Sequence, residues 1–225
     1  MGTGTGVALE ALAAAVGAEG VAVGVDLSAG MLRTGHAARP SLKFVAADVV
    51  DLPFRDETFD VVTGNFVIHL VPNHETALFD MIRVLRRGGR LALTAWAAHN
   101  EDEFSKAWRE LTEGALGQEM LDDVAKQAAP GRSRFSDRKL FEETLRDAGL
   151  HPVRIEVREY QVQLPRDDWL AAEAVTSTGR FLRQMLGEEG WKSFMDRARA
   201  VFAERFPEQL NDFRDVLLAM GTKPG

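Results

Sequence analysis

Gly2-Thr-Gly-Thr-Gly6 places three glycines at alternate positions directly ahead of a helical pattern. Without a Cβ at those positions a ligand can approach the backbone closely. The free N–H groups at the helix start favour an anion. Asp26 ends a short apolar run further on, where its carboxylate can accept both hydroxyls of a ribose. Asp48 follows a second apolar run, and its carboxylate with a neighbouring backbone N–H suits an adenine edge. His69, in Asn65-Phe-Val-Ile-His69, has the residue type for a general base or a substrate contact. Each feature alone has a plainer reading: a flexible leader, a surface acid at a strand end, or a histidine filling a pocket mouth. Together they fall at the carboxyl ends of successive strands, where open α/β sheets bind ligands.

The elements that must position these residues alternate along the first 100 positions. Val21–Asp26, Leu42–Ala46, Phe59–Thr63 and Arg90–Trp96 read as strands. Leu9, Leu12 and Val16 share one helix face by spacing, as do Leu78, Ile82 and Leu85. Gly88-Gly89 reads as the stop of the second of these helices. Such alternation predicts an α/β fold with a mostly parallel sheet. Beyond it, residues 101–128 and 166–206 read as helical, and Ser136 as the N-cap of a helix carrying Leu140, Phe141 and Leu145. Val153, Ile155 and Val157 alternate as an antiparallel or edge strand, and Val216–Met220 is a last strand.

The 225 residues carry 27 Lys and Arg against 34 Asp and Glu, a net charge of −7 that disfavours nucleic acid as a partner. The absence of Cys excludes a disulfide scaffold, a thiol nucleophile and a thiolate metal site. No apolar run reaches the roughly 20 residues needed to cross a bilayer, and no basic segment leads into an apolar core at the start. The expectation is a cytoplasmic protein without membrane partners. No carboxylate cluster emerges, so no metal is expected. His74, His99 and His151 read as surface residues, and Tyr160 receives no role.

The run Gly2–Gly6, then Gly24-Val-Asp-Leu-Ser-Ala-Gly-Met-Leu32, resembles the class I S-adenosylmethionine-dependent methyltransferases. Asp48 with Leu52-Pro-Phe-Arg-Asp-Glu-Thr-Phe-Asp-Val-Val62, and Arg83-Val-Leu-Arg-Arg-Gly-Gly-Arg90, fit the same family. The similarity is nearest to its small-molecule branch, the ubiquinone/menaquinone-type or methyltransferase type 11-like enzymes. The resemblance implies a Rossmann-like three-layer sandwich with an antiparallel C-terminal strand, formed as a single domain over residues 1–225. Residues 101–134 and 165–208 would be helical inserts covering the acceptor site. It implies S-adenosylmethionine as cofactor, S-adenosylhomocysteine as product, and a small organic methyl acceptor. Gly2, Gly4 and Gly6 would border the methionine moiety, and Asp26 would hold the ribose. Leu27 and Met31 would pack near the adenine, and Asp48 with the Val49 backbone would meet its exocyclic amine. Asn65 and Phe66 would line the methyl-donor end, with His69 as the candidate base.

The family places a strand ending in Asp-x-Gly ahead of the glycines, whereas this sequence starts at Met1 inside that motif. The expectation is therefore a sheet without its first strand and a natural chain with further residues upstream. Two other functions stay open: a non-catalytic or impaired cofactor-binding protein, and a nicotinamide-dependent dehydrogenase. The latter needs G-x-G-x-x-G, and position 7 is Val. The acceptor and the oligomeric state are not legible.

Overall fold

The computed structural model describes residues 1–98 and 101–225; His99, expected at the surface, lies outside the described residues. In chain order the elements begin with α1 (Val7–Val16), β1 (Val23–Asp26), α2 (Ala29–Ala38), β2 (Lys43–Ala46) and β3 (Phe59–Asn65). A 3-10 turn (Ile68–Leu70), α3 (His74–Arg83) and β4 (Leu85–Trp96) follow. Next come α4 (Glu103–Leu116), α5 (Gln118–Ala128), α6 (Arg132–Ser136) and α7 (Arg138–Asp147). The chain continues through β5 (Val153–Pro165), α8 (Arg166–Ala174), α9 (Ser177–Arg205) and β6 (Gln209–Thr222).

The fold is mixed α/β with parallel pairing among β1–β4 and an antiparallel C-terminal strand, as expected. β1 pairs in parallel with β2, β3 in parallel with β4, and β6 runs antiparallel to β4 between it and β5. Residues 1–3 bridge the two sheets: the Thr3 N–H donates to Val25 O at 2.9 Å, and the Met1 amino group to Thr63 O at 2.6 Å.

The chain divides into two compact units: Met1–Ala97, Gly131–Arg158 and Val216–Gly225 form one, Ala98–Pro130 and Glu159–Asp215 the other. The first has a core of Val25, Val62, Leu78, Met81, Leu91, Leu93, Phe135 and Phe141, drawn from the sheets and from α3, α6 and α7. Fully burying side chains of this kind contributes about 1.5–3 kcal/mol each. The second packs Phe104, Trp108, Trp169, Leu182, Phe194 and Phe202 into an aromatic core of its own, with Trp169 stacked on Phe202 at 5.5 Å.

Several local readings differ from the structure; Leu85, read on a helix face, is the first residue of β4, which therefore begins ahead of Arg90. On α1 only Leu9 is buried, while Leu12 and Val16 are exposed, so the periodicity marks a helix whose apolar stripe is only partly covered. Asp137, not Ser136, caps α7, accepting the Lys139 and Leu140 N–H groups; Ser136 is the last residue of α6. Asp is as good a cap as Ser, and it stands one residue closer to the helix. Gly88-Gly89 does not end α3, which stops at Arg83; it lies in a bulge of β4, where the register against β3 shifts between Phe59 and Val61 and the Gly88 N–H donates to Lys223 O. Finally, β6 begins at Gln209 rather than Val216.

Candidate functional site

The glycine run is a left-handed turn built from its own residues. Gly2, Gly4 and Gly6 have φ of 62°, 54° and 88°, a region that costs L-residues about 1–2 kcal/mol each. Space demands glycine as well: a Cβ on Gly6 would stand 2.7 Å from the Phe44 ring, and one on Gly2 would stand 2.5 Å from Val67 Cγ2. Gly6 is the residue before α1, so the turn presents the helix start.

Asp26 is the C-terminal residue of β1, and both carboxylate oxygens are oriented by the backbone. Oδ2 accepts the Gly4 N–H at 2.7 Å and Oδ1 accepts the Ser28 N–H at 2.9 Å. The acid is thereby tied to the middle of the glycine turn. Its neighbours Leu27 and Met31 are apolar yet 72% and 45% exposed, an uncovered apolar face beside a fixed carboxylate. Ser28 holds Met31 at the start of α2 by accepting its N–H. These features fit a ligand with a polar diol at Asp26 and a flat apolar ring against Leu27 and Met31, as an adenosine has.

Asp48 lies two residues past Ala46, the partner of Asp26 across the parallel pair. Its Oδ1 accepts the Val50 N–H at 3.2 Å, the residue is exposed, and the Ala47 N–H donates to Asp26 O. Asp26 and Asp48 thus share the carboxyl end of β1–β2, with Val49 half-buried between Asp48 and the core.

At the carboxyl end of β3, Thr94 fixes two candidates together. Its hydroxyl donates to Asn65 Oδ1 at 2.8 Å and accepts the Phe66 N–H at 3.0 Å. Phe66 is held at φ 50°, uncommon for a bulky residue, and its ring stacks on Trp96 at 4.2 Å. The contact between Gly2 and Val67 brings this loop against the glycine turn.

His69, in the 3-10 turn, is half-buried, and its Nδ1 is buried without a hydrogen-bond partner among the described residues. Burial, with a contribution from the Arg132 charge, holds its pKa below the ordinary 6.5, so the imidazole is neutral at pH 7. Its carbonyl accepts the Gly131 N–H at 3.0 Å, which seats α6 beside it.

Sequence reasoning missed a buried clamp on the Leu52-Pro-Phe54 loop. Asp80, 7% exposed, accepts the Leu52 N–H at 2.5 Å and Arg83 Nε at 2.6 Å. Arg83 also donates to the Leu52 and Phe54 carbonyls and to Asp56. Its hydrogen bond holds the Asp80 carboxyl below the usual carboxylate range, reinforced by the Leu52 N–H against the opposing effect of burial. The clamp fixes the segment that follows Asp48, and the Asp80-x-x-Arg83 spacing on one helix face was the available signal.

Comparison with known proteins locates this architecture. Residues 1–93 match the Methyltransferase domain family. Over 94 residues the chain is 36% identical to the demethylmenaquinone methyltransferase of Renibacterium salmoninarum, covering 42% of this chain and 40% of that protein. Over 111 residues it is 37% identical to the ubiquinone/menaquinone biosynthesis C-methyltransferase UbiE of Stutzerimonas stutzeri, covering 47% of this chain and 43% of that one. The chain thus spans less than half the length of these relatives. Among solved structures, the YcgJ protein of Bacillus subtilis aligns with a TM-score of 0.61 at 19% identity, over all of this chain and 90% of that one. A phosphoethanolamine N-methyltransferase of Haemonchus contortus in complex with S-adenosyl-L-methionine aligns with a TM-score of 0.56 at 15% identity, over all of this chain and 47% of that one. The resemblance to ubiquinone/menaquinone-type methyltransferases therefore resides in the glycine turn, β1–β4 and the loops between them, and the fold is the Rossmann-like one of methyltransferases.

Proposed function

We propose that this protein is an S-adenosylmethionine-dependent methyltransferase acting on a small organic acceptor. The observation that carries the reading is the Asp26 carboxylate fixed by the Gly4 and Ser28 N–H groups, with exposed Leu27 and Met31 beside it. Asp26 would take the ribose hydroxyls, Leu27 and Met31 the adenine faces, and Asp48 with the Val49 backbone the adenine edge. Gly2, Gly4 and Gly6 would border the methionine portion, and Asn65 and Phe66 the donor end.

When bound, S-adenosylmethionine would supply a methyl group on a sulfonium, which an acceptor's electron pair attacks in one step as the carbon–sulfur bond breaks and S-adenosylhomocysteine leaves. The residues of this chain then have three tasks: binding, alignment and proton handling. Thr94 immobilises Asn65 and the Phe66 N–H, so the donor-end loop does not have to order on binding. His69, uncharged at pH 7, can take a proton from a hydroxyl acceptor.

The test is isothermal titration with S-adenosylhomocysteine and, separately, NADH. The reading expects saturable binding of the first and none of the second. Binding of NADH alone would favour the dehydrogenase, and failure of both would remove the site. Binding without turnover over a panel of hydroxyl, amine and carbon acceptors would favour a non-catalytic binder.

A further inference from the structure

β5 (Val153–Pro165) is the outer strand of the four-stranded sheet: β6 lies on one side of it, and among the described residues no strand pairs with its other side. Val153 and Ile155 are buried in the core of the first unit, which seats the start of the strand. From residue 156 to residue 163 every residue is exposed, so no described loop or helix covers this stretch. A free strand edge presents a row of backbone N–H and C=O groups with which another strand can pair. Proteins commonly blunt such edges with lysine or proline. Residues 153–164 contain neither.

The charges on β5 follow a self-complementary pattern. Side chains alternate between faces, so Arg154, Glu156 and Arg158 share one face and Val153, Ile155 and Val157 the other. Along the strand, Arg158 Nη2 lies 3.5 Å from Glu156 Oε2. When a strand pairs antiparallel with its own copy about a two-fold axis, the residue on the axis faces itself. Residues equally far from the axis on either side then face each other. An axis at Glu156 sets Glu156 against Glu156 and Arg154 against Arg158, and like charges directly opposite are destabilising. An axis at Arg158 opposes two arginines. An axis at Ile155 joins Arg154 to Glu156 but engages only residues 153–157 of each strand. An axis at Val157 joins Glu156 of each copy to Arg158 of the other, sets the half-exposed Val157 against itself, and engages residues 153–161. It is the longest pairing in which opposite charges meet.

We propose that the free edge of β5 is a self-association site, where a second copy of this chain adds its own β5 in antiparallel register about Val157. The two new backbone ladders extend the four-stranded sheet of each copy into one sheet through the dimer. Pairing along a single strand is small beside a standard interface, so the dimer is weak and concentration-dependent. Two Glu156–Arg158 pairs, one on each side of the axis, fix its register.

Sedimentation equilibrium of the full chain, from micromolar to near-millimolar protein, tests this. The wild type is expected to show a monomer–dimer equilibrium that added salt weakens. Glu156→Arg and Arg158→Glu each turn both opposite pairs into like pairs, and each should weaken the dimer about tenfold. An equimolar mixture of the two variants brings opposite charges together again and should associate as the wild type does. Loss of folding in either variant would not give that recovery. A wild type that stays monomeric overturns the proposal, as do unchanged association in both variants or no recovery in the mixture. Weakening by Glu156→Arg alone would put the axis at Ile155 and overturn the register about Val157.

Discussion

Gly4 and Asp26 are joined by a 2.7 Å hydrogen bond from a backbone N–H to a carboxylate oxygen across 22 positions of sequence. The acid is therefore a tie that closes the glycine turn onto β1, and under the proposed function it would also be a ligand contact. Asp26→Ala should separate these roles. Leaving the Gly4 and Ser28 N–H groups without an acceptor costs about 1–2 kcal/mol at a partly solvated site. S-adenosylhomocysteine at about 100 times its dissociation constant should add roughly 2.7 kcal/mol to the wild type, a rise in Tm of about 5–10 °C for a chain of this size. The variant should unfold a few degrees lower and show no ligand-dependent rise. An undiminished rise in thermal scans would take Asp26 out of the site.

Asp80 and Arg83 make a second, purely structural prediction. Asp80 is buried, bonded to both Arg83 and the Leu52 N–H, and its carboxyl titrates below its ordinary value of 3.8. A depressed pKa in the folded state means that the stabilisation is present above the unfolded value and is lost as pH falls through the folded one. Removing one partner leaves the other buried without compensation, at a cost of about 3 kcal/mol or more. Urea unfolding at pH 7 should show this loss in Arg83→Met. In Asp80→Asn the decline in stability below about pH 4 should be shallower than in the wild type. Parallel acid limbs in the two proteins would show that the clamp does not contribute to the pH dependence.

Much of the fold was legible because its signals are local. Strand ends at Asp26 and Ala46 follow from short apolar runs, and the glycine turn follows from three alternate glycines read together with the acids at those strand ends. The longer-range facts were not legible. Nothing near Gly88 says that its N–H will meet Lys223 O, and so the pair of glycines reads as a helix stop rather than as a bulge. Leu12 and Val16 have the period of a buried stripe, but period alone does not say whether anything covers it. At the site, the acids could be named in advance because a polar residue after an apolar run is conspicuous. Asp80 sits inside an ordinary amphipathic helix, where only the distant Leu52 N–H reveals its task. Thr94, which fixes Asn65 and Phe66, is hidden in a strand in the same way.

Gly6 and Gly17 set a steric clash beside backbone strain without one. Both have positive φ, 88° and 71°, but a Cβ on Gly6 would meet the Phe44 ring at 2.7 Å while one on Gly17 would meet nothing within 4 Å. Gly17, with ψ of −171°, lies in a region essentially reserved for glycine, so Gly17→Ala costs strain alone, about 1–3 kcal/mol. Gly6→Ala adds a steric clash that forces the ring or the turn to move, for a total of roughly 2–4 kcal/mol. Gly6→Ala should also weaken S-adenosylhomocysteine binding, because the turn carries the Gly4 N–H that orients Asp26. Chemical denaturation and calorimetry of the two variants measure both effects. A loss in Gly6→Ala of no more than about 1–2 kcal/mol, the strain of a left-handed residue alone, would mean that Phe44 yields freely.

Phe66 shows how strain and stacking trade against each other at the carboxyl end of β3. Its φ of 50° is unfavourable for any residue with a Cβ, and it is held there by the bonds to Thr94 and by the stack on Trp96. Strain of this kind persists only where the surroundings over-determine it, as they do at binding sites. Phe66→Ala removes the stack but keeps the strain, whereas Phe66→Gly removes both. The glycine variant should consequently be the more stable of the two by roughly 1 kcal/mol, with both below the wild type. That order is the reverse of what an ordinary extended or helical position gives, where alanine is the more stable. Freed from its imposed angle, the loop in Phe66→Gly should still bind S-adenosylhomocysteine less tightly than the wild type, because Asn65 and the Phe66 N–H must then be ordered on binding. Denaturation midpoints with Ala above Gly would show that the loop relaxes once the ring is gone. Trp96 would then owe its position to the strand rather than to Phe66.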